Sequence, residues 1–287
     1  MPPTPSEAPF PRRLLLVGHP VSHSLSPRFQ NAALEAAGLA TRYAALDVIP
    51  SELAGVVATV RENEIAGNVT VPHKTTFFAY CDHLTPIAQR AGAVNTFWMD
   101  ADQRLVGDNT DVEGFDELVR HVLGFVPNGA HMALFGTGGA AAAVCTATER
   151  WQGGASVSLW GRSVEKTHAL AARYRHVTPA GSILAALENA SIVVNATSVG
   201  MGLGGEAVPI DVEAIPDGAA VLDLVYRHPT TPFVRTAKNR GLRAADGLVM
   251  LIEQGALAFE RWFGFPPDRD LMRRAVATLT PTQHVSA

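Results

Sequence analysis

Short apolar runs alternate along this chain with longer stretches whose apolar residues recur every three or four positions, the pattern of strands followed by amphipathic helices. Arg13 to Val17 (RLLLV) predicts a buried strand, and Phe29, Ala33, Leu34 and Ala37 fall at helical spacing behind GHPVSHSLSP. Ser26 is placed as the N-cap of that helix, Pro27 at its first position and Gly38 as its stop, because a hydroxyl, a fixed φ and a tolerance of left-handed backbone suit those places. A second strand is expected over Arg42 to Asp47, a helix over Ser51 to Asn63 and a third strand over Ala66 to Thr70. Thr75 to Tyr80 and Pro86 to Ala91 read as short helices. Thr96 to Met99 with Leu105 to Gly107 reads as a hairpin turning at Asp100 to Gln103, and Val112 to Leu123 as a helix before a linker over Gly124 to Gly129. Such alternation implies a mostly parallel sheet.

The alternation starts again at Met132. Strand Met132 to Phe135, helix Ala140 to Arg150, strand Ser156 to Trp160 and helix Glu165 to Arg173 are followed by helix Ile183 to Asn189, strands Ile192 to Asn195 and Val221 to Leu224, and helix Pro232 to Arg240. This order predicts a doubly wound, Rossmann-like domain. Gly247 to Phe263 and Asp268 to Leu279 are helical segments with no strand behind them, so they are expected to pack back on the first domain. The fold class is α/β with two domains, which a chain of 287 residues is long enough to fill.

Composition narrows the partners. A formal net charge of -4 with 47% hydrophobic residues argues against a nucleic-acid surface and against general disorder, and leaves a small molecule as the expected ligand. No apolar run reaches membrane-spanning length. Cys81 and Cys145, far apart and both in stretches read as helix, look like buried thiols in a reducing, cytoplasmic setting. Pro2, Pro3, Pro5, Pro9 and Pro11 make residues 1–11 a loose tail rather than a signal peptide.

The central stretch for chemistry is MALFGTGGAAAAV, Met132 to Val144, a strand, a glycine turn and a helix former in sequence. Gly136, Gly138 and Ala141 fill the three small-residue slots of a dinucleotide fingerprint, and the positive end of the helix suits a pyrophosphate. Behind the next strand comes GRSVEK, Gly161 to Lys166. Arg162 and Ser163 stand where an NAD site presents an acid, a donor pair suited to a 2′-phosphate and hence to NADP. In the first half, Ser22, Ser24 and Ser26 follow the first strand, where alternate hydroxyls can hold a carboxylate; His23 reads as a structural residue. NVTVPHK, Asn68 to Lys74, should carry Asn68, Thr70 and Lys74 over one cleft, with GAVNT (Gly92 to Thr96) and GDNTD (Gly107 to Asp111) adding Asn95 and Asp111. Asn95 and Asp111 are equally open to a reading as turn or helix caps.

Taken in order, these segments together with NATSVGM (Asn195 to Met201), DLVYRHPTTPF (Asp223 to Phe233) and DGLVMLIEQG (Asp246 to Gly255) resemble the shikimate dehydrogenase family from about Leu14 to the last helix. The resemblance implies NADPH-dependent, reversible reduction of 3-dehydroshikimate to shikimate, with Lys74 as catalytic lysine and Asp111 as the acid beside it. It implies a carboxylate clamp of Ser24 and Ser26, ring hydroxyls met by Asn68, Thr70, Asn95, Asp111 and Gln254, and Tyr226 closing the pocket. Cofactor contacts match Gly136, Thr137, Gly138, Gly139, Ala140, Gly161, Arg162, Ser163, Lys166, Leu224 and Gly247; no metal is implied. Residues 12–112, completed by 249–287, become the substrate and catalytic domain and 113–248 the NADP-binding domain, in a chain that can form a homodimer. Three positions depart from the family pattern: Gln30 for histidine, Val112 for glycine and Gly161 for asparagine, the last withdrawing a hydrogen bond from the adenosine side. A quinate or aminoshikimate dehydrogenase, or a cofactor-binding sensor without turnover, are the alternatives.

Overall fold

The computed structural model describes residues 11, 13–201 and 206–277. The expected tail over residues 1–11, Pro11 apart, and residues 278 and 279 of the last expected helix lie outside them. The chain folds as two compact units, one of residues up to Thr110 together with Gly255 onward, the other Asp111–Gln254.

The first unit begins β1 (Arg13–Gly18), α1 (Ser26–Ala36), β2 (Arg42–Asp47), α2 (Leu53–Glu62), β3 (Ala66–Val69), α3 (Lys74–Phe78), β4 (His83–Leu84), α4 (Pro86–Ala91), β5 (Thr96–Met99) and β6 (Leu105–Asp108). Its sheet runs β2-β1-β3-β5-β6-β4. β2, β1 and β3 are parallel, as are β6 and β4, whereas β5 runs antiparallel to β3 and β6. The tight connection from Asp100 to Arg104 leaves β5 and β6 no other choice, since a parallel crossover needs a longer path. Val17, Val57, Val60, Val69, Phe77 and Phe97 pack into the core beneath, with the Phe77 and Phe97 rings 4.8 Å apart. α1 ends as expected: Gly38 takes φ +69°, and the N–H groups of Gly38 and Leu39 donate to the carbonyls of Glu35 and Leu34.

The second unit holds α5 (Asp111–Leu123), β7 (Ala130–Phe135), α6 (Gly139–Glu149), β8 (Ala155–Trp160), α7 (Val164–Ala171), β9 (Val177–Pro179), α8 (Ile183–Leu187), β10 (Ile192–Asn195), β11 (Ala220–Asp223), α9 (Pro232–Asn239) and β12 (Ala244–Ala245). Its strands lie in the order β12-β11-β10-β7-β8-β9, every neighbouring pair parallel. That is the doubly wound order, with its reversal between β7 and β10, where such sheets bind ligands at the carboxyl ends of the strands. β10 and β11 are buried throughout, as strands covered on both faces must be. α10 (Leu248–Phe263) starts in this unit and continues into the first, followed by α11 (Arg269–Ala277).

Within the first unit α11 lies against α1. A side chain at Gly255 would place its Cβ 2.5 Å from the Phe29 ring, so glycine is what allows α1 and α10 to meet. Gln30, at the first of the unusual positions, bridges the same contact: its Nε2 donates to the Gly255 carbonyl at 2.9 Å. Among the described residues no helix is long and apolar enough to cross a membrane.

Candidate active site

Two loops of the first unit meet at Gly18. A Cβ there would stand 2.3 Å from the Thr70 methyl, so the missing side chain lets the loop after β3 close against the end of β1. Thr70 N–H donates to the Val17 carbonyl and His19 N–H to that of Val71. Asn68 is buried, its Oδ1 accepting from the Tyr43 hydroxyl at 2.8 Å and its Nδ2 donating to the Asn95 carbonyl at 3.1 Å. Thr70 lies one residue past β3, which ends at Val69 and not at Thr70.

The GAVNT and GDNTD segments are stitched together. Asn109 Nδ2 donates to the Ala93 carbonyl at 2.8 Å, Thr110 N–H to Asn95 Oδ1 at 2.8 Å, and Asn95 Nδ2 to Thr110 Oγ1 at 2.9 Å. Buried Asp108 anchors the segment from below, accepting from Thr85, from the Asn109 N–H and from Arg261 Nε at 3.0 Å. Asn95 is therefore a turn cap as well as a candidate for substrate.

Lys74 opens α3, one residue earlier than the expected Thr75, and its carbonyl accepts from the Val94 N–H at 2.9 Å. Directly before it, His73 is 1% exposed, with Nε2 donating to the Val48 carbonyl at 2.6 Å. A carbonyl only accepts, so that nitrogen carries the proton. Segment 92–96 is thus bonded on one side to 68–74, which carries Thr70 and Lys74, and on the other to 107–110. Asp111 follows Thr110 as the first residue of α5, inside the helix and not one residue ahead of it.

The serine loop corrects one expectation. Ser26 is not the N-cap: Leu25 holds that position without a side-chain bond, Ser26 is the first helical residue and Pro27 the second. Ser26 N–H donates to Ser24 Oγ at 3.2 Å, so Ser24 supplies the capping oxygen from outside the helix. With Leu25 already helical in backbone, the side chain that can curl back onto the first turn is one position earlier. His23 is exposed, and Ser22 with it.

In the second unit the glycine turn fits a dinucleotide. Gly136 has φ +120°, and a Cβ there would lie 2.7 Å from the Ala196 carbonyl oxygen. Gly138 is the N-cap of α6, and nothing lies within 4 Å of its Cβ position, so the front of the turn is open to a ligand. The first N–H groups of α6 have no intrahelical acceptor and point the same way. Arg162 and Lys166 are exposed on the next loop and helix, and Ser163 caps α7 by accepting from the Lys166 N–H at 3.2 Å. Its hydroxyl proton remains available as a donor. Gly247 closes on Leu224, whose carbonyl oxygen a Cβ would meet at 2.4 Å. Gln254 turns its Nε2 to the Leu251 carbonyl of its own helix.

Residues without a role assigned from sequence appear at the ends of β10 and β11. Asn195 Nδ2 donates to Asp223 Oδ1 at 2.8 Å, while its Oδ1 accepts from the Thr197 N–H and hydroxyl. Asp223 is fully buried, also accepts from the Val225 N–H, and has its pKa pushed up to about 6 by burial. Asp246, beside Thr230, is raised from the same cause. A polar residue closing each apolar run, IVVN and AVLD, was the available signal. Cys81 lies beyond α3, not within a helix, and burial lifts its thiol to about 12, which leaves it unreactive. Among the described residues no group of three His, Cys, Asp or Glu side chains could hold a metal.

A doubly wound domain with an open glycine turn, on one chain with a lysine-bearing α/β unit, defines a nicotinamide-dinucleotide oxidoreductase. Residues 16–97 match the model of the shikimate dehydrogenase substrate binding domain, and residues 247–277 that of the shikimate 5'-dehydrogenase C-terminal domain. A shikimate dehydrogenase (NADP(+)) of Geobacter metallireducens is 40% identical over 92% of this chain and 96% of its own. The crystal structure of shikimate 5-dehydrogenase from Thermus thermophilus in complex with NADP(H) and shikimate is 39% identical, covers 92% of this chain and 97% of its own, and has a TM-score of 0.80. A quinate dehydrogenase from Corynebacterium glutamicum in complex with NAD is 27% identical, with coverage of 93% and 99% and a TM-score of 0.81. The chain belongs to the shikimate dehydrogenase family.

Proposed function

We propose that the chain is an NADP-dependent shikimate dehydrogenase that reversibly reduces 3-dehydroshikimate to shikimate. The observation that carries this reading is that the loop bearing Thr70 and Lys74 is hydrogen-bonded to the loop bearing Asn95, which is bonded in turn to segment 107–110, in a family whose relatives are named for that reaction. Ser24 and Ser26 take the substrate carboxylate, and Asn68, Thr70, Asn95, Asp111 and Gln254 the ring hydroxyls, with Tyr226 as a further substrate contact. Bound NADPH supplies the hydride, from C4 of its nicotinamide. As the C3 carbonyl becomes an alkoxide, protonated Lys74 donates from Nζ to that oxygen, which Asp111 orients. In the oxidative direction Lys74 must first be neutral to take the hydroxyl proton.

The glycine turn from Gly136 to Ala140 holds the pyrophosphate, Arg162, Ser163 and Lys166 the 2′-phosphate, and Gly161, Leu224 and Gly247 the flanks of the cofactor. Residues 12–112 with 249–287 serve the substrate and 113–248 the cofactor. A chain with two cysteines, far apart at 81 and 145, supports a cytoplasmic setting, and light scattering of the purified chain checks the homodimer. The deciding experiment follows the absorbance of the reduced nicotinamide with shikimate and with quinate, each with NADP and with NAD. Shikimate with NADP is expected to be the fastest pair; a faster rate with quinate and NAD overturns the reading.

A further inference from the structure

Gly161 is glycine for want of space. Its backbone does not lie in the left-handed region, yet a Cβ there would fall 2.6 Å from Thr137 Cγ2 and 2.9 Å from Thr167 Oγ1. Thr137 sits in the glycine turn between Gly136 and Gly138, and Gly161 starts the loop that carries Arg162. The two loops are also tied through the backbone, Gly136 N–H donating to the Trp160 carbonyl at 2.9 Å. On the far side Thr167 Oγ1 donates to the Ser163 carbonyl at 2.8 Å, so the arginine loop is gripped from the turn before it and from the helix after it.

We propose that Thr137 is a specificity-determining residue for the cofactor: its γ-methyl, seated against Gly161, sets the separation of the glycine turn from the arginine loop and thereby aligns Arg162 with the 2′-phosphate. The proposal rests on the NADP reading above. A β-branched side chain has little rotamer freedom with which to retreat, so a methyl added at 161 displaces the loop and leaves the threonine in place. Removing the Thr137 methyl has the opposite fault, since the loop loses its stop. Either change alone disturbs the 2′-phosphate more than the pyrophosphate, which the backbone of the turn holds. Making both changes relieves the contact with Thr137 and leaves only the 2.9 Å approach to the Thr167 hydroxyl, so most of the fit returns.

The test is calorimetric titration of NADP and of NAD into the wild type, Gly161→Ala, Thr137→Ala and the double variant, with a thermal melt on each to establish folding. Gly161→Ala is expected to weaken NADP binding about tenfold, the equivalent of a low-end overpacking penalty, and NAD binding distinctly less. Thr137→Ala should weaken NADP several-fold, and the double variant should bind within about threefold of wild type, because neighbouring substitutions couple. Adding Arg162→Ala to Gly161→Ala should cost less than Arg162→Ala costs alone. Equal losses for both cofactors, or additive losses in the double variant, overturn the proposal. Should Gly161→Ala fail to fold, an unchanged NADP affinity in Thr137→Ala overturns it alone. A wild type that binds NAD as tightly as NADP overturns the NADP reading and this proposal together, whereas a wild type that prefers NADP with all four affinities alike overturns only this one.

Discussion

The imidazole Nε2 of His73 lies 2.6 Å from the backbone oxygen of Val48, and this one hydrogen bond fastens the head of α3 to the loop after β2. His73 N–H donates to the Thr70 carbonyl and its own carbonyl accepts from Phe77, so the residue is held on every side. Lys74 inherits its position from that anchor. His73→Ala should lower kcat about tenfold through misplacement of Lys74, with NADP affinity intact, and cost about 1–3 kcal/mol by leaving a buried acceptor unpaired. Steady-state kinetics with denaturant unfolding checks both, and a kcat that survives the stability loss contradicts the positioning role.

Lys74→Ala should reduce turnover by roughly 10²–10⁴-fold, the usual contribution of a placed acid or base, while NADP binding and fold persist. Rapid-quench measurement of the chemical step is the check. Near wild-type turnover would remove Lys74 from the chemistry.

Because Ser24 and not Ser26 supplies the capping oxygen, the two serines should separate. Ser24→Ala is expected to lose about 1 kcal/mol of stability and to raise the shikimate Michaelis constant. Ser26→Ala should raise that constant with little change in melting temperature. Equal stability losses in the two variants would restore Ser26 as the cap.

Arg162→Ala should raise the NADP Michaelis constant about ten- to a hundredfold, the equivalent of one charge-assisted hydrogen bond of roughly 1.5–3 kcal/mol, and leave the NAD constant nearly unchanged. Kinetics with each cofactor decides it. Parallel losses for both would place Arg162 on the shared part of the dinucleotide.

Burial lifts the Asp223 carboxyl from an ordinary 3.8 to about 6. Between those values the folded chain keeps a proton that the unfolded chain has released, so the group costs no stability below about pH 4 and an increasing amount as pH rises through 6. The stability of wild type minus that of Asp223→Asn should therefore fall by about 3 kcal/mol from pH 4 to pH 7 and then level off. Asp246, shifted in the same direction, is common to both proteins. Urea unfolding across that range reads the difference, and a flat line would place the Asp223 charge in contact with solvent.

Local chemistry made much of this molecule legible in its sequence. Pro86 and Gly92 bracket α4 and its bounds were read to the residue, as were those of β10, an apolar run closed by Asn195. The glycine turn, the missing acid at Arg162 and the lysine of NVTVPHK follow from residue types at short range. What depends on distant partners could not be read. β4, β9 and β12 are two or three residues long, too short to show a period, and exist because a neighbouring strand offers them hydrogen bonds. The capping oxygen moved from Ser26 to Ser24 because the backbone turned one residue early. That His73 reaches Val48, that Asn195 meets Asp223, and that Gly161 is shaped by Thr137 are contacts between loops on different strands, fixed only once each sheet has brought its carboxyl ends together.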